Sequence, residues 1–382
     1  VITATALAAL CGIALHVALA RPARMRVLLA VLVGASSLIA TASGLAVATR
    51  GLSNRPAGDP TVSENTPNIL LVSIDTLRAD HLHSYGYERE TSPHIDAVAA
   101  EGVRFETVVS PTSWTLPSHA TLMTARDPTD HGVTSQNRRL GGEATLLSEV
   151  LQRAGYKTSG FVSGPFLSAF YGYFQGFDHY DDYSVLPASW NALAKQETSS
   201  GLTRVVVDWL RDWDRSGRDQ PFFVFLHMWD VHAEYVPPPP YDELFDPGYK
   251  GTTQLDNIGS SQIYKHMDRA DLRRLIAQYD GEIRHTDEYL GKLFAELRSL
   301  GVYDDTLVVL VADHGEEFFE HGGKRHDRTL YDEVVLVPLI MRLPGLIPEG
   351  RVVPDQVRLQ DVAPTILALA GIDAPTDFGL AN

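Results

Sequence analysis

Cysteine is almost missing from this sequence. Its single occurrence, Cys11, lies in an apolar run near the start of the chain. Disulfide frameworks and cysteine metal sites both need several cysteines. The chain beyond that run therefore has no disulfide framework and no cysteine metal site.

An excess of positive charge is also lacking. The chain has 32 Lys and Arg against 48 Asp and Glu, which gives a formal net charge of -16 at pH 7. This balance argues against a nucleic-acid partner held by a basic surface, and it disfavours peripheral docking on anionic lipid. An anionic substrate would therefore need a local positive centre.

The longest apolar runs stand at the beginning of the chain. Residues 1–20 and 27–49 are uncharged, and the connection between them carries Arg21, Arg24 and Arg26. Each run is close to the ~20 residues that cross a bilayer, and basic connections favour the cytoplasmic side. We therefore predict a multi-pass membrane protein with a transmembrane hairpin at 1–50. A linker at 51–67 then leads to an extracytoplasmic catalytic domain at 68–382.

Two further expectations concern the ends of the chain. A cleaved signal peptide followed by a buried helix is the alternative reading of the first 50 residues. The sequence begins with Val1 and stops at Asn382 without an end signal. We therefore expect a fragment whose C-terminal part is missing.

The rest of the sequence alternates short apolar runs with amphipathic ones. This pattern is typical of an α/β fold in which helices cover both faces of a mostly parallel sheet. Loops at 164–200 and 233–265 are expected over a pocket, since they show no periodicity. The predicted strands are 68–74, 157–162, 222–227, 307–312 and 337–342, and the predicted helices are 118–124, 145–154, 202–212, 269–300 and 360–370.

Polar residues with metal-binding chemistry follow two of these strands directly. Asp75 comes after the strand at 68–74, and Asp313 and His314 come after the strand at 307–312. Ligands gather at the carboxyl ends of strands in open α/β sheets. Carboxylate oxygens and imidazole nitrogens suit a divalent metal, although an aspartate at such a place is as often the N-cap of the next helix.

A hydroxyl group is predicted near the start of a helix. Pro117 suits a first helical turn and would place Thr115 just ahead of the helix N-terminus. The positive potential there stabilises an alkoxide or a transferring oxyanion. Thr115 is therefore our candidate nucleophile and fourth metal ligand, the alternative being that Thr115 or Ser113 merely caps the helix.

Histidines and cations supply the remaining candidates. His232 and His326 lie in two histidine clusters, and an imidazole suits proton donation to a leaving oxygen because its pKa is near neutrality. Single histidines are more often packed or surface residues. Cationic side chains pair with the nonbridging oxygens of an anionic ester. We assign substrate binding to His119, His227, Lys324 and Arg328.

Together these segments resemble the sulfatase family of the alkaline-phosphatase superfamily across roughly residues 67–372. The resemblance implies one divalent metal, Mn²⁺, Mg²⁺, Ca²⁺ or Zn²⁺, held by Asp75, Asp313 and His314. It also implies Thr115 as nucleophile, with His232 or His326 near the leaving group. The matching segments, in the order of the family, are 68–75, 91–96, 115–119, 313–315, 329–333, 337–340 and 361–366.

Three residues depart from the family pattern. Sulfatases carry a Cys or Ser that is oxidised to formylglycine, and this chain has Thr115 in its place. His119 replaces the usual arginine of that signature, and Thr76 replaces the second acid of an Asp-Asp pair. A threonine nucleophile resembles lipoteichoic-acid synthases and phosphoethanolamine transferases, which also join a membrane region to an extracytoplasmic sulfatase-like domain.

Three functions follow for comparison. The leading hypothesis is phosphoester chemistry, in which Thr115 takes a phosphoryl-linked group and passes it to water or to a lipid or glycan acceptor. The second is a sulfuric ester hydrolase. The third is an inactive sulfatase-like binding module. The complete set of candidate metal ligands argues against this third function.

A reporter enzyme fused after residue 60 tests the predicted topology. We expect activity outside the cytoplasm, because the three arginines keep the connection between the two runs inside. A second fusion after Arg26 is the control and should be active in the cytoplasm. Cytoplasmic activity of the first fusion would contradict the orientation.

Overall fold

The computed structural model describes residues 66–182, 198–253, 255, 257–258 and 260–378. All of them belong to the compact unit Pro60–Asn382. The strands are β1 (Asn68–Ile74), β2 (Val103–Phe105), β3 (Val108–Val109), β4 (Lys157–Val162), β5 (His179–Asp181), β6 (Phe222–Met228), β7 (Thr306–Ala312), β8 (Glu317–Phe318), β9 (Lys324–Arg325), β10 (Leu339–Arg342), β11 (Arg351–Val353) and β12 (Val357–Arg358). The helices are α1 (Pro93–Ala100), α2 (Thr115–Thr124), α3 (Pro128–His131), α4 (Leu147–Ala154), α5 (Ser199–Arg215), α6 (Arg269–Ser299), α7 (Asp332–Val335) and α8 (Val362–Leu369).

Eight of the strands form the central sheet, in the order β11-β2-β10-β7-β1-β6-β4-β5. The five strands from β7 to β5 run parallel to their neighbours. β10 is antiparallel to both β7 and β2, and β11 pairs parallel with β2. The predicted α/β fold with a mostly parallel sheet is confirmed.

The centre of the sheet is covered on both faces. Every residue of β1, β6 and β7 is buried, and successive residues of a strand point to opposite faces. Strands buried on both sides read as continuous apolar runs, and these three do. The helices pack as two groups, one formed by α1, α5 and α6 and the other by α2, α4 and α8.

The predicted elements are found with changed bounds. β10 starts at Leu339 and not at Val337, because Pro338 has no N–H to donate to a ladder. α2 starts three residues before its predicted first residue, Ser118. The region predicted as a loop at 164–200 contains β5, a short strand that pairs with β4 at the edge of the sheet.

The predicted membrane hairpin and all but two residues of the predicted linker lie outside the described residues. Within the described ranges, no helix has both the length and the apolar character that a bilayer crossing requires. The 31-residue α6 is long enough but carries charged residues along its length.

α6 passes very close to the loop at 233–265. A Cβ at Gly281 would lie 2.6 Å from the Tyr241 carbonyl oxygen and 2.8 Å from Pro237 Cγ. The loop backbone therefore rests directly on the helix at the one residue type without a side chain. This contact fixes the loop beside the carboxyl end of the sheet.

We predict that Gly281→Ala lowers the free energy of unfolding by about 1–3 kcal/mol, because overpacking outweighs the ~1 kcal/mol that alanine gains in a helix. Gly291→Ala in the same helix is the matched control. The three atoms nearest to its Cβ would all belong to the His94 ring, a side chain that is 43% exposed and has room to turn. Urea denaturation measures the free energy of unfolding of both variants. A similar gain in stability for the two would contradict the prediction.

Candidate active site

Asp75, Asp313 and His314 come together at the carboxyl ends of β1 and β7. These strands are adjacent and parallel, with Ile74 paired with Ala312, so the residues that follow them share one edge of the sheet. The ligand atoms of the three side chains lie within 4.8 Å of one another, and all three residues are buried. The structure therefore assembles the group that the sequence predicts for a single metal site.

Thr115 is the first residue of α2, whereas the sequence predicts it just ahead of the helix. The helix includes it because Pro117 stands at the third position, where a missing N–H removes no helical hydrogen bond. Trp114 precedes the helix in an extended conformation, with φ -161° and ψ 158°. The Thr115 hydroxyl thus remains in the first turn, where the helix gives positive potential.

The Thr115 hydroxyl faces the carboxylate cluster. Its Oγ1 lies 3.4 Å from Asp75 Oδ2, to which it donates, and 3.4 Å from His314 Nε2. Only 2% of the residue is exposed. All four predicted ligands are therefore in one place, with the hydroxyl next to two of them.

The electrostatics of the cluster fit a divalent cation. Asp75 Oδ1 and Asp313 Oδ2 are buried without a hydrogen-bond partner among the described residues. Burial raises the pKa of Asp75 to about 7, and burial together with Asp75 raises the pKa of Asp313. Burial acts to lower the pKa of His314, but Asp313 and Asp75 raise it on balance. Protons neutralise this group, and a cation bound by the same atoms would replace them.

Thr76 occupies the place of the second family acid and contacts the cluster through its backbone. It has φ 56°, a left-handed conformation that β-branched residues rarely adopt. Its N–H donates to Asp313 Oδ1 at 3.3 Å, and its hydroxyl donates to the Val231 carbonyl at 3.0 Å. Strain of about 1–3 kcal/mol is thus held where two ligand-bearing segments meet.

His119 and His227 lie beneath the carboxylates, and both are fully buried. His227 Nε2 is 3.2 Å from Asp75 Oδ2. His119 Nδ1 donates to the Thr115 carbonyl at 2.9 Å and lies 3.5 Å from Asp313 Oδ2. Burial lowers the pKa of each to about 4. β6 and the inner face of α2 direct both rings to the nucleophile and the ligands, away from solvent. Their role in substrate binding stays a prediction.

His232 and His326 stand on the more open side of the cluster. The His326 ring centroid is 4.6 Å from that of His314 and 5.0 Å from that of His232. His232 is partly exposed, and its Nδ1 donates to the Ala233 carbonyl at 2.6 Å. Burial lowers the pKa of both rings. His326 therefore borders His314 of the metal-ligand group, and His232 borders His326.

Glu316 belongs to this side of the site, although the sequence predicts no role for it. It is fully buried, and burial raises its pKa. Its Oε1 lies 3.1 Å from His326 Nδ1, and its Oε2 accepts from the Tyr235 hydroxyl at 2.6 Å. The only signal in the sequence is its place two residues after His314.

The two predicted cationic side chains, Lys324 and Arg328, have different surroundings. Lys324 Nζ donates to the carbonyls of Ser260 and Ile263 at 3.0 and 2.7 Å. The Arg328 side chain is 78% exposed, with Nε 3.5 Å from Asp327. The structure thus engages Lys324 with the 233–265 loop and leaves Arg328 in solvent. Their pairing with the nonbridging oxygens of a substrate stays a prediction.

A second group of acidic and imidazole side chains closes the β8–β9 hairpin. Glu317 Oε1 accepts from the backbone N–H of Gly323 at 2.7 Å and of His321 at 3.3 Å. His321 Nδ1 lies 2.7 Å from Glu333 Oε1. These hydrogen bonds hold the segment that leads to His326.

Gly315 allows the chain to turn sharply after the metal ligands. A Cβ there would lie 2.1 Å from the Glu333 carbonyl oxygen, and the Gly315 N–H donates to Val334 O at 2.7 Å. Only glycine permits this approach. The chain therefore turns closely beneath the site.

Comparison with known proteins adds to the geometry. A family model described as sulfatase matches residues 67–372. The chain is 25% identical over 327 residues to an ulvan-active sulfatase of Formosa agariphila, covering 81% of this chain and 62% of that protein. It is 27% identical over 390 residues to human arylsulfatase A, covering 89% and 68%. The chain thus spans less than two thirds of the first relative's length.

Solved structures show the same fold. A protein in complex with its substrate D-glucosamine-2-N,6-O-disulfate is similar with TM-score 0.67 and 22% identity, covering 83% of this chain and 79% of that one. A phosphonate monoester hydrolase of Agrobacterium radiobacter is similar with TM-score 0.66 and 22% identity, covering 82% and 77%.

Metal affinity is predicted to fall as the pH drops below about 7, the pKa of Asp75. Below that pH a cation has to displace the Asp75 proton, and the raised pKa of His314 adds a second proton to displace, so affinity should weaken at least about tenfold per pH unit. Above it Asp75 is already ionised and contributes no pH dependence. Calorimetric titration with Mn²⁺, Zn²⁺, Mg²⁺ and Ca²⁺ in two buffers measures affinity and proton release. Asp313→Asn should weaken binding about 100-fold or more at every pH. An affinity independent of pH from 5.5 to 7, or unaffected by Asp313→Asn, would contradict the assignment.

Proposed function

The chain belongs to the sulfatase family, and from that premise we propose that it hydrolyses phosphate esters with unmodified Thr115 as the nucleophile. It is a hydrolase of the sulfatase/alkaline-phosphatase superfamily, as its relatives are. The observation that carries the proposal is the Thr115 hydroxyl, 3.4 Å from both Asp75 Oδ2 and His314 Nε2.

The identity of the nucleophile favours phosphorus over sulfur. Formylglycine is an aldehyde whose hydrate has a second hydroxyl, and that hydroxyl drives elimination of sulfate. Thr115 cannot form it, because oxidation of threonine gives a ketone. A threonine attached to phosphorus is instead an ordinary ester that a second nucleophile resolves.

The reaction has two displacements. Thr115 Oγ1 forms a bond to phosphorus, its proton leaves toward Asp75 Oδ2, and the bond from phosphorus to the leaving oxygen breaks. The leaving oxygen takes a proton from a histidine on the open side of the cluster. Water then attacks the phosphothreonine, which releases the phosphoryl group and restores the hydroxyl.

A divalent cation would be held by Asp75, Asp313 and His314, with Thr115 beside it. When bound, it lowers the pKa of a neighbouring hydroxyl and neutralises an anionic ester. Two carboxylates and one imidazole are compatible with Mn²⁺, Mg²⁺, Ca²⁺ or Zn²⁺. The neutral His119 and His227 support these ligands from below.

Sulfate ester hydrolysis is the second candidate, and the names of the relatives favour it. Those relatives include an ulvan-active sulfatase and human arylsulfatase A. Transfer to a lipid or glycan acceptor, as in lipoteichoic-acid synthases and phosphoethanolamine transferases, stays a prediction, and no relative named here is such a transferase. We also propose the predicted location, with the catalytic domain outside the cytoplasm on a membrane hairpin.

The proposal predicts faster turnover of p-nitrophenyl phosphate esters than of p-nitrophenyl sulfate. Thr115→Ala should reduce kcat by about three orders of magnitude or more, because it removes the nucleophile, while Thr115→Ser should retain part of the activity. Thr129→Ala, which changes an exposed threonine of α3, is the control. Acid quenching during turnover followed by peptide mass spectrometry should find phosphate on Thr115. A clear preference for the sulfate ester would restore the sulfatase reading.

A further inference from the structure

Glu316 and His326 form a buried pair next to the metal-ligand group. Glu316 is fully buried and His326 is 9% exposed. Glu316 Oε1 lies 3.1 Å from His326 Nδ1. The ring centroid of His326 is 4.6 Å from that of His314, whose Nε2 is 3.4 Å from the Thr115 hydroxyl. A carboxyl group thus holds one side of an imidazole that borders the reacting atoms.

Hydrogen bonding to Glu316 decides which nitrogen His326 presents. Nδ1 is engaged whether the proton between the two groups lies on nitrogen or on oxygen. Nε2 is therefore the nitrogen left for the open side. A carboxylate that engages one imidazole nitrogen fixes the orientation and tautomer of the ring, as it does for ligand histidines at metal sites.

The rest of the structure holds Glu316 still. The Tyr235 hydroxyl donates to its second oxygen at 2.6 Å. The buried Arg78 guanidinium donates to the Glu316 carbonyl at 2.9 Å and forms ion pairs with Asp80 and Glu320. Side chain and backbone of Glu316 are thus fixed from two different segments.

The backbone next to His326 is hydrogen-bonded to the segment that carries the nucleophile. The N–H of Asp327 donates to the Ser113 carbonyl at 2.9 Å, two residues before Thr115. Arg325 and Asp327 both have positive φ, 71° and 76°, a conformation uncommon for residues with side chains. Two such residues on either side of His326 indicate a backbone held to aim one side chain.

Among the residues that the structure describes, no carboxylate is hydrogen-bonded to His232. Its Nδ1 donates to the neutral carbonyl of Ala233, and its ring stacks on Trp229 with centroids 3.9 Å apart. A carbonyl accepts a hydrogen bond but never takes a proton, whereas a carboxylate does both. The pairing therefore favours His326 as the proton donor.

We propose that Glu316 is a positioning residue that directs His326 Nε2–H to the leaving oxygen; this inference rests on the proposed function. In the step, the Nε2–H bond breaks as an O–H bond forms on the leaving oxygen, and the bond from that oxygen to phosphorus breaks. The ring ends neutral with its remaining proton on Nδ1, hydrogen-bonded to ionised Glu316. The end state is the same for an imidazolium beside a carboxylate and for a neutral ring beside a carboxylic acid, because in the second case the Glu316 proton moves to Nδ1 as the Nε2 proton leaves.

The test compares leaving groups. Departure of p-nitrophenolate needs little protonation, whereas departure of an alkoxide needs much. Glu316→Leu, which removes all hydrogen bonding at nearly the same size, should lower kcat about 100-fold on an ethyl phosphate ester and only a few-fold on the p-nitrophenyl ester. Glu316→Gln keeps an acceptor for Nδ1–H and should lose about tenfold on the ethyl ester. Metal content and circular dichroism establish that each variant is folded and loaded.

Two comparisons separate positioning from mere structural support. Adding Glu316→Gln to His326→Asn should cause no further loss on the ethyl ester, because the ring that it positions is already gone. Glu288→Gln is the control: it changes another Glu–His pair, to the partly exposed His94, outside the segment that carries His326, and should affect both esters alike. A loss for Glu316→Gln that is equal on the two esters, or additive with His326→Asn, would overturn the inference. A wild-type protein without phosphate esterase activity would instead overturn the proposed function; the same variants are then compared on ethyl and p-nitrophenyl sulfate.

Discussion

Two carboxylates held out of water beside each other are the constraint on which this site depends. Asp75 and Asp313 are fully buried at the ends of neighbouring strands, and an ionised buried carboxylate without a partner costs several kcal/mol. Polar groups around the pair offset part of that cost. The first turn of α2, the His314 imidazole and the Thr76 N–H all face the two carboxylates. A divalent cation held by the two carboxylates would neutralise them in the same way.

The central strands and the metal-ligand group could be predicted from the sequence because both are local features of the chain. β1, β6 and β7 are continuous apolar runs, the pattern of strands buried on both faces. Asp75, Asp313 and His314 follow two of them without a gap, so parallel pairing alone brings the three together. The metal-ligand group was therefore predictable from chain position, and the structure confirms that its members meet.

Burial and orientation of individual side chains were not predictable in the same way. A helix face and a strand face turn His119 and His227 inward, and no local sequence pattern reveals which face packs. Glu316 was overlooked because an acid after a metal-binding run resembles a solvated residue. Thr115 was placed one step outside its helix because proline is accepted at several positions of a first turn.

The segment from Asp313 to His326 carries two metal ligands, a sharp glycine turn, a short hairpin and the ring that borders the nucleophile. The spacing between the cation-binding group and that ring is consequently set within one continuous stretch of chain. Replacements in the 233–265 loop leave this spacing intact when they keep the Tyr235 hydroxyl and the two carbonyls that Lys324 contacts. The loop is therefore coupled to the reactive segment at those hydrogen bonds, and a replacement that breaks one of them removes a support of Glu316 or of Lys324.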